Sequence, residues 1–278
     1  MQKKRIGLIL TLAIIAAFTS FVSAQEESSF EMGASWHGNR QIIITRPGIY
    51  RLRDDLKVRN GTAIIIRGSN VTLDLGGNSV TTETPGTGSG VLVEGQKGVE
   101  VRNGKVGGFN VNLNAMNSEN VRFRNLQVVG RGLPPNNGPS EVGVNLLQTR
   151  GALVENNVIT SVNLGIFVRG GFSTGNRIFE NVITGGATPS SNLLGICYNP
   201  APNAGNEGPR GDNIYNNHIT RYGYAIAIST GSLNNIFNEN ILASFIGGFR
   251  EPGALTTGGG TNIAEGNIMT TIPMTMLP

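Results

Sequence analysis

One cysteine, Cys197, and two histidines, His37 and His218, are all that 278 residues contain. A single cysteine excludes an internal disulfide, and a chain of this length can bury a sufficient core without one. No His/Asn pairing accompanies Cys197, so it reads as a structural thiol rather than a nucleophile. Two histidines cannot build a histidine-rich copper site, although Met274 and Met276 in "IPMTMLP" offer a faint soft-metal signal. Aspartate is nearly as scarce, with Asp54, Asp55 and Asp74 near the front and Asp212 alone. Calcium sites need clustered oxygen ligands, usually several carboxylates. No such cluster is visible, and the expectation is that the protein carries no cofactor, with calcium the one alternative left open.

Long hydrophobic runs are missing too, except at the start. "MQKKRIGLILTLAIIAAFTSFVSAQ" puts three basic residues before an apolar run from Ile6 to Ala17, closed by Val22, Ser23 and Ala24. That order predicts a secretory signal peptide over 1–24, cleaved after Ala24. The run is short for a membrane span, and no second one follows. Loss of Lys3, Lys4 and Arg5 leaves 19 basic against 18 acidic groups, so the sequence pI of about 9.5 misrepresents the exported chain. Charge therefore points to no nucleic-acid partner and, after cleavage, to no membrane. Residues 25–40, with Trp36 and His37 in "ASWHGN", are expected to form an N-terminal cap, and 271–278 a tail.

Glycine and asparagine are abundant instead, 40 and 32 residues. Both tolerate left-handed backbone, which implies many sharp turns. One phrase recurs: "TGNRIFENVITGG", "GDNIYNNHITRYG", "NNIFNENILAS". Aligned on one position, the series is Gly104, Leu126, Asn157, Asn181, Asn217, Asn240 and Asn267, with steps of 22, 31, 24, 36, 23 and 27. The longer steps contain "RGLPPNNGPSE", "YNPAPNAGNEGPRG" and "GGFREPG", which read as loops inserted into a regular coil. Each unit has an aliphatic–Asn–aliphatic phrase, followed in most by a short alternating run such as "GVNLLQ", "GIFVRG", "GICYNP" or "AIAIST". Alternation with β-branched enrichment means short strands, and no 3.6-residue stripe supports a helical repeat. Three short strands per turn of 22–24 residues predict an all-β fold over 41–270. It is a single-stranded right-handed parallel β-helix of about eight or nine turns. The repeating Asn is expected to sit in a strained corner conformation, its amide bonded to the turns above and below.

"NRIFENVITG" and "NNHITRYGYAIAIS" resemble the β-helix repeats of the pectin-lyase-like superfamily. The front segments "IIITRPGIYRLRDDL", "AIIIRGSNVTLDLGGNSV" and "VLVEGQKGVEVRNGKVGGF" are similar to the opening of bacterial exported right-handed β-helix proteins. That group includes polysaccharide lyases, epimerases and periplasmic accessory proteins of copper-enzyme maturation. The resemblance implies the fold over about 40–270, a secreted or periplasmic location and a groove along one parallel sheet; it does not choose among activities.

By that analogy, the second run of each unit forms the groove floor. With Val111, Val144, Ile166, Ile196, Ile226 and Leu255 inward, one outward column reads Asn112, Asn145, Phe167, Cys197, Ala227, Thr256. The next reads Asn114, Leu147, Arg169, Asn199, Ser229, Gly258. Asn112, Asn145, Phe167, Arg169 and Asn199 are the substrate-binding candidates. Neither column offers the two carboxyl groups of a glycoside hydrolase. Catalysis, if present, falls to His218, Arg221, Tyr222 and Tyr224 in "NNHITRYGY". A base and a cation of these types suit proton abstraction beside a uronate carboxylate. His218 also occupies a slot held elsewhere by Val158, Val182, Ile241 and Ile268, an apolar outward stripe flanked by Phe179 and Tyr215. Such a stripe is covered by a loop, meets a protein partner or second copy, or stacks sugars. Three readings follow: contact with extracellular or periplasmic polysaccharide, a lyase or C5-epimerase on uronic-acid polymers, and a non-enzymatic accessory module.

Overall fold

The computed structural model describes residues 29–33, 35, 38, 40–132, 141–186, 190, 192–200, 207–228, 231–250 and 262–272. The expected signal peptide, Trp36, His37, the inner parts of the first two insertions, Ser229, Leu255, Thr256, Gly258, Met274 and Met276 lie outside the described residues. Among those described, twenty-six strands, β1 to β26 in chain order, pair throughout in parallel, and no helix interrupts the chain between β2 and β26.

One sheet takes a single strand from each of nine turns: β2 (Ile42–Ile44), β5 (Ile64–Ile66), β8 (Ser89–Glu94), β10 (Val111–Met116), β12 (Val142–Leu147), β15 (Leu164–Arg169), β18 (Leu194–Asn199), β21 (Tyr224–Ile228) and β24 (Gly247–Arg250). At ~4.8 Å per turn the stack is a rod about 40 Å long. The other seventeen strands form two adjoining ladders joined through β9 (Glu100–Gly107) and β11 (Arg122–Val129). β1 (Ser29–Met32), inside the segment expected to form a cap, already pairs with β3 (Gly48–Leu52).

Identical registers stack like side chains. Leu113, Val144, Ile166, Ile196 and Ile226 form one buried column, and Val101, Phe123, Val154, Ile178, Ile214 and Phe237 another. Each buried aliphatic contributes about 1.5–3 kcal/mol relative to exposure, and this column packing is the main stabilising term. The interior is narrow beside the nine-stranded sheet. A Cβ on Gly195 would lie 2.3 Å from the Ile219 side chain and 2.4 Å from the Ala225 carbonyl oxygen, which explains why the second runs open on glycine.

The asparagine series stacks as expected. Asn157 donates from its backbone N–H and its Nδ2 to Asn181 Oδ1, both at 3.0 Å. Asn181 does the same to Asn217, Asn217 to Asn240, and Asn240 to Asn267 at 2.9–3.1 Å. Leu126 N–H donates to Asn157 Oδ1 at 3.0 Å, and Leu126 is in register with Gly104. The strained residue, however, is the one before the ladder position: Asn156, Glu180, Asn216 and Glu239 have φ of 54–55°. The ladder Asn needs ordinary backbone so that its amide can point along the rod. "GGFREPG" also differs from expectation, because its Gly247–Arg250 portion is the ninth strand rather than a loop.

Candidate functional site

The register of the nine-stranded sheet corrects the groove columns. Asn145, Phe167, Cys197 and Ala227 share one outward column as expected, but its earlier member is Asn114 and its last is Arg250. Met116, Leu147, Arg169 and Asn199 form the next. Asn112 is not on the groove. It is fully buried, its Oδ1 accepting from Phe109 N–H at 3.3 Å and its Nδ2 donating to the Val142 carbonyl at 3.4 Å. The corner at Phe109 turns that amide inward and shifts the first turn by two residues. Asn145 Nδ2 donates to Asn114 Oδ1 at 2.8 Å, so these two amides form a short outer ladder that stops where Phe167 replaces the next amide.

Beyond that point the face changes character. Leu194, Cys197, Tyr198, Asn199, Ala227, Ile228 and Arg250 line a hollow of about 230 Å³. Two guanidinium groups stand near it: Arg169 lies 4.7 Å from the Phe167 ring centroid, and Arg250 lies 5.7 Å from that of Tyr224. Burial lowers the pKa of Arg169, and its Nε is buried without a hydrogen-bond partner among the described residues. Burial pushes the Cys197 thiol up to about 12, against the opposing pull of Arg250 and Arg169. A thiol so held stays protonated, and two neighbouring cations disfavour a bound metal ion.

The four residues of "NNHITRYGY" do not share a face. His218 opens β20 (His218–Thr220) in the larger sheet, exposed between Val182 and Ile241. Arg221 occupies a left-handed corner with φ 59°. Tyr222 is fully buried in the core, its hydroxyl without a partner among the described residues, and burial raises its pKa. Tyr224 points outward from the nine-stranded sheet, in the column of Leu194. The stripe of Val158, Val182, Ile241 and Ile268 is exposed at 44, 42, 45 and 62 %. Phe179 and Tyr215 stack beside it with centroids 5.0 Å apart and parallel planes.

Two buried carboxylates escaped the sequence reading. Five residues before each of the last four ladder asparagines, a second ladder runs through Asn176, Asp212, Asn235 and Asn262. Asp212 stands where its neighbours have an amide. It accepts from Asn176 N–H at 2.8 Å and from the Tyr198 hydroxyl at 3.2 Å, and burial raises its pKa to about 6. The constant five-residue offset inside the quoted phrases was the available signal. Glu141, read as loop, is also buried, clasping Arg131 N–H at 2.8 Å; burial raises its pKa against Arg131 and Asn112.

Among solved structures, the chain is similar to the Dettilon tailspike protein (14 % identity, covering 85 % of this chain and 61 % of that one, TM-score 0.43). It is also similar to a lacto-N-biosidase from Eubacterium ramulus (10 %, 84 % and 45 %, 0.46) and an alginate lyase from a Paenibacillus strain (11 %, 86 % and 99 %, 0.36). The chain thus spans about three-fifths of the tailspike and under half of the biosidase. No curated protein matches the sequence. Residues 53–269, most of the coil, match the family model described as periplasmic copper-binding protein (NosD), and the chain belongs to that periplasmic β-helix family.

Proposed function

We propose that this periplasmic β-helix protein binds an acidic polysaccharide across the outer face of its nine-stranded sheet, with Arg169 and Arg250 holding the sugar carboxylates. The observation that carries this reading is the pairing of two guanidinium groups with aromatic rings around one hollow, in columns that contain no carboxylate from Asn114 to Arg250. A guanidinium fork matches a carboxylate in two parallel hydrogen bonds, and a partly desolvated one gains most from being paired. Asn199 supplies a neutral donor and acceptor at the rim. Binding is favoured over lyase or epimerase chemistry, because Tyr222 is buried in the core, Tyr224 lies on another sheet from His218, and His218 itself stands between Val182 and Ile241.

The copper of the family description finds no fitting donor set in the described coil. Cys197 sits between two cations with its thiol protonated, and His218 is flanked in register by Val182 and Ile241. Among the described residues no three His, Cys, Asp or Glu side chains are grouped to hold a metal.

The test is calorimetric titration of the exported protein with hexamers of galacturonate and of alginate, with cellohexaose as a neutral control. Acidic hexamers should bind in preference to neutral ones, and Arg169→Ala or Arg250→Ala should each weaken them at least ~10-fold. Failure of both acidic hexamers to bind, or indifference of their binding to both substitutions, would sink the reading.

A further inference from the structure

Around the corner from the groove, a second hollow of about 290 Å³ is lined by Arg150, Gly171, Phe172, Thr174, Glu207 and Arg210. Phe172 is 63 % exposed, more than any other large apolar side chain among the described residues. A single exposed ring is ordinary, and turns are commonly mobile. Its backbone is nevertheless clamped. Phe172 N–H donates to Gln148 Oε1 at 3.1 Å, Ser173 N–H to the Gly170 carbonyl at 2.9 Å, and Ser173 Oγ to the Arg169 carbonyl at 2.6 Å. The ring is therefore presented by a fixed turn.

The polar groups around it are ordered by the coil itself. Glu119, Arg150, Thr174 and Arg210 occupy one column of parallel bridges, so Arg150 and Arg210 stand one turn before and one turn after Thr174. Arg150 lies 5.8 Å from the Phe172 centroid. Arg210 Nη2 donates to Glu207 Oε2 at 3.0 Å, while its Nε is buried with no partner among the described residues. Gly171 makes room for Glu207: a Cβ there would lie 2.7 Å from the Glu207 Cβ and 2.8 Å from Oε2.

We infer that this hollow is a separate saccharide subsite that takes a neutral pyranose ring. A pyranose has an apolar C–H face and a rim of hydroxyls that both donate and accept. The exposed ring meets the first; an arginine donor, a carboxylate acceptor and a threonine hydroxyl meet the second. Charge separates this hollow from the groove. Glu207 offsets one of the two arginines here and would repel a sugar carboxylate, whereas the groove columns hold no carboxylate from Asn114 to Arg250 among the described residues. Gly170 N–H donates to the Asn199 carbonyl at 3.1 Å, so the two hollows adjoin at the end of β18. The subsite does not depend on the groove reading.

The experiment is saturation-transfer NMR on the exported protein with cellohexaose, maltohexaose, xylohexaose and chitohexaose. At least one should bind, with the strongest transfer to ring C–H protons. Phe172→Ala should weaken it at least ~10-fold, as expected for a central aromatic contact. Gly171→Val, which drives Glu207 out of place, should weaken it similarly, and Arg250→Ala should leave it unchanged. The inference falls if none of the four binds at millimolar concentration, or if Phe172→Ala binds as the wild type does. Loss on Arg250→Ala with indifference to Phe172→Ala would overturn this subsite and leave the groove standing. Acidic hexamers that ignore Arg169→Ala and Arg250→Ala would do the reverse.

Discussion

The first and last turns of the rod solve one problem in opposite ways. On the outer face of the early turns, Glu100 Oε1 receives Arg102 at 3.1 Å and Arg124 at 2.7 Å, Arg102 reaches Asp74 at 3.1 Å, and Arg122 reaches Glu155 at 3.3 Å. Inside that region the corner positions are Gly104 and Leu126, with no side-chain amide. In later turns the column of Arg102, Arg124 and Glu155 carries Phe179 and Tyr215, that of Lys105 and Gln127 carries Val158, Val182 and Ile241, and the corner holds five stacked asparagines. Polar cohesion has moved from outside to inside. Hydrated ion pairs contribute little each, whereas buried amides are costly to leave unmatched, so the second half of the coil should depend far more on single residues.

Asn217→Leu should break this comparison open most widely. Asn217 donates to Asn240, Ile178 and Tyr215 and accepts twice from Asn181, so its loss strands groups on both neighbouring turns. Denaturant unfolding should show a loss of about 3 kcal/mol, at the upper end for an unsatisfied buried group. Asp212→Asn should act in the opposite sense by completing the second ladder. Burial raises the Asp212 pKa from 3.8 to about 6, so the folded state binds the proton more tightly than the unfolded chain. Stability from this group is present below about pH 3.8 and falls as pH rises to about 6. Near pH 7.5 the substitution should add about 2 kcal/mol, shrinking toward zero at pH 4. Glu141 shifts in the same direction, so the difference between the two proteins across pH is the diagnostic quantity. The smallest effect belongs to the early turns: Glu100→Gln should cost about 1 kcal/mol at low salt and less at 1 M salt. A cost at Glu100 that equals the cost at Asn217 would erase the distinction.

The asparagine ladder was legible because a repeated buried amide leaves a repeated letter, and the stacking from Asn157 to Asn267 follows the spacing. The second ladder hid in the same phrases, since Asn176, Asn235 and Asn262 look like ordinary turn residues until their partners are seen. Asn112 misled because alternation puts it on the face of Asn114, whereas its amide is drawn inward to Phe109 N–H and the Val142 carbonyl, and the pairing register is displaced by two residues. Arg250 was missed because "GGFREPG" has loop composition, yet pairing with β21 makes its front a strand.

Sequence alone determined the parallel coil, its period and its apolar columns, because burial and pairing in a repeat are local and recur each turn. Which polar side chains meet was decided only by stacking. Residues 28 positions apart, such as Asp74 and Arg102, or 38 apart, such as Arg177 and Tyr215, become neighbours through inserted loops whose lengths vary freely. A corner at Arg221 set His218 and Tyr224, six residues apart in sequence, on different sheets, and stacking across turns brought Arg169 and Arg250 to one face. Period fixes the interior of such a rod, and register along its axis decides the surface on which ligands are read.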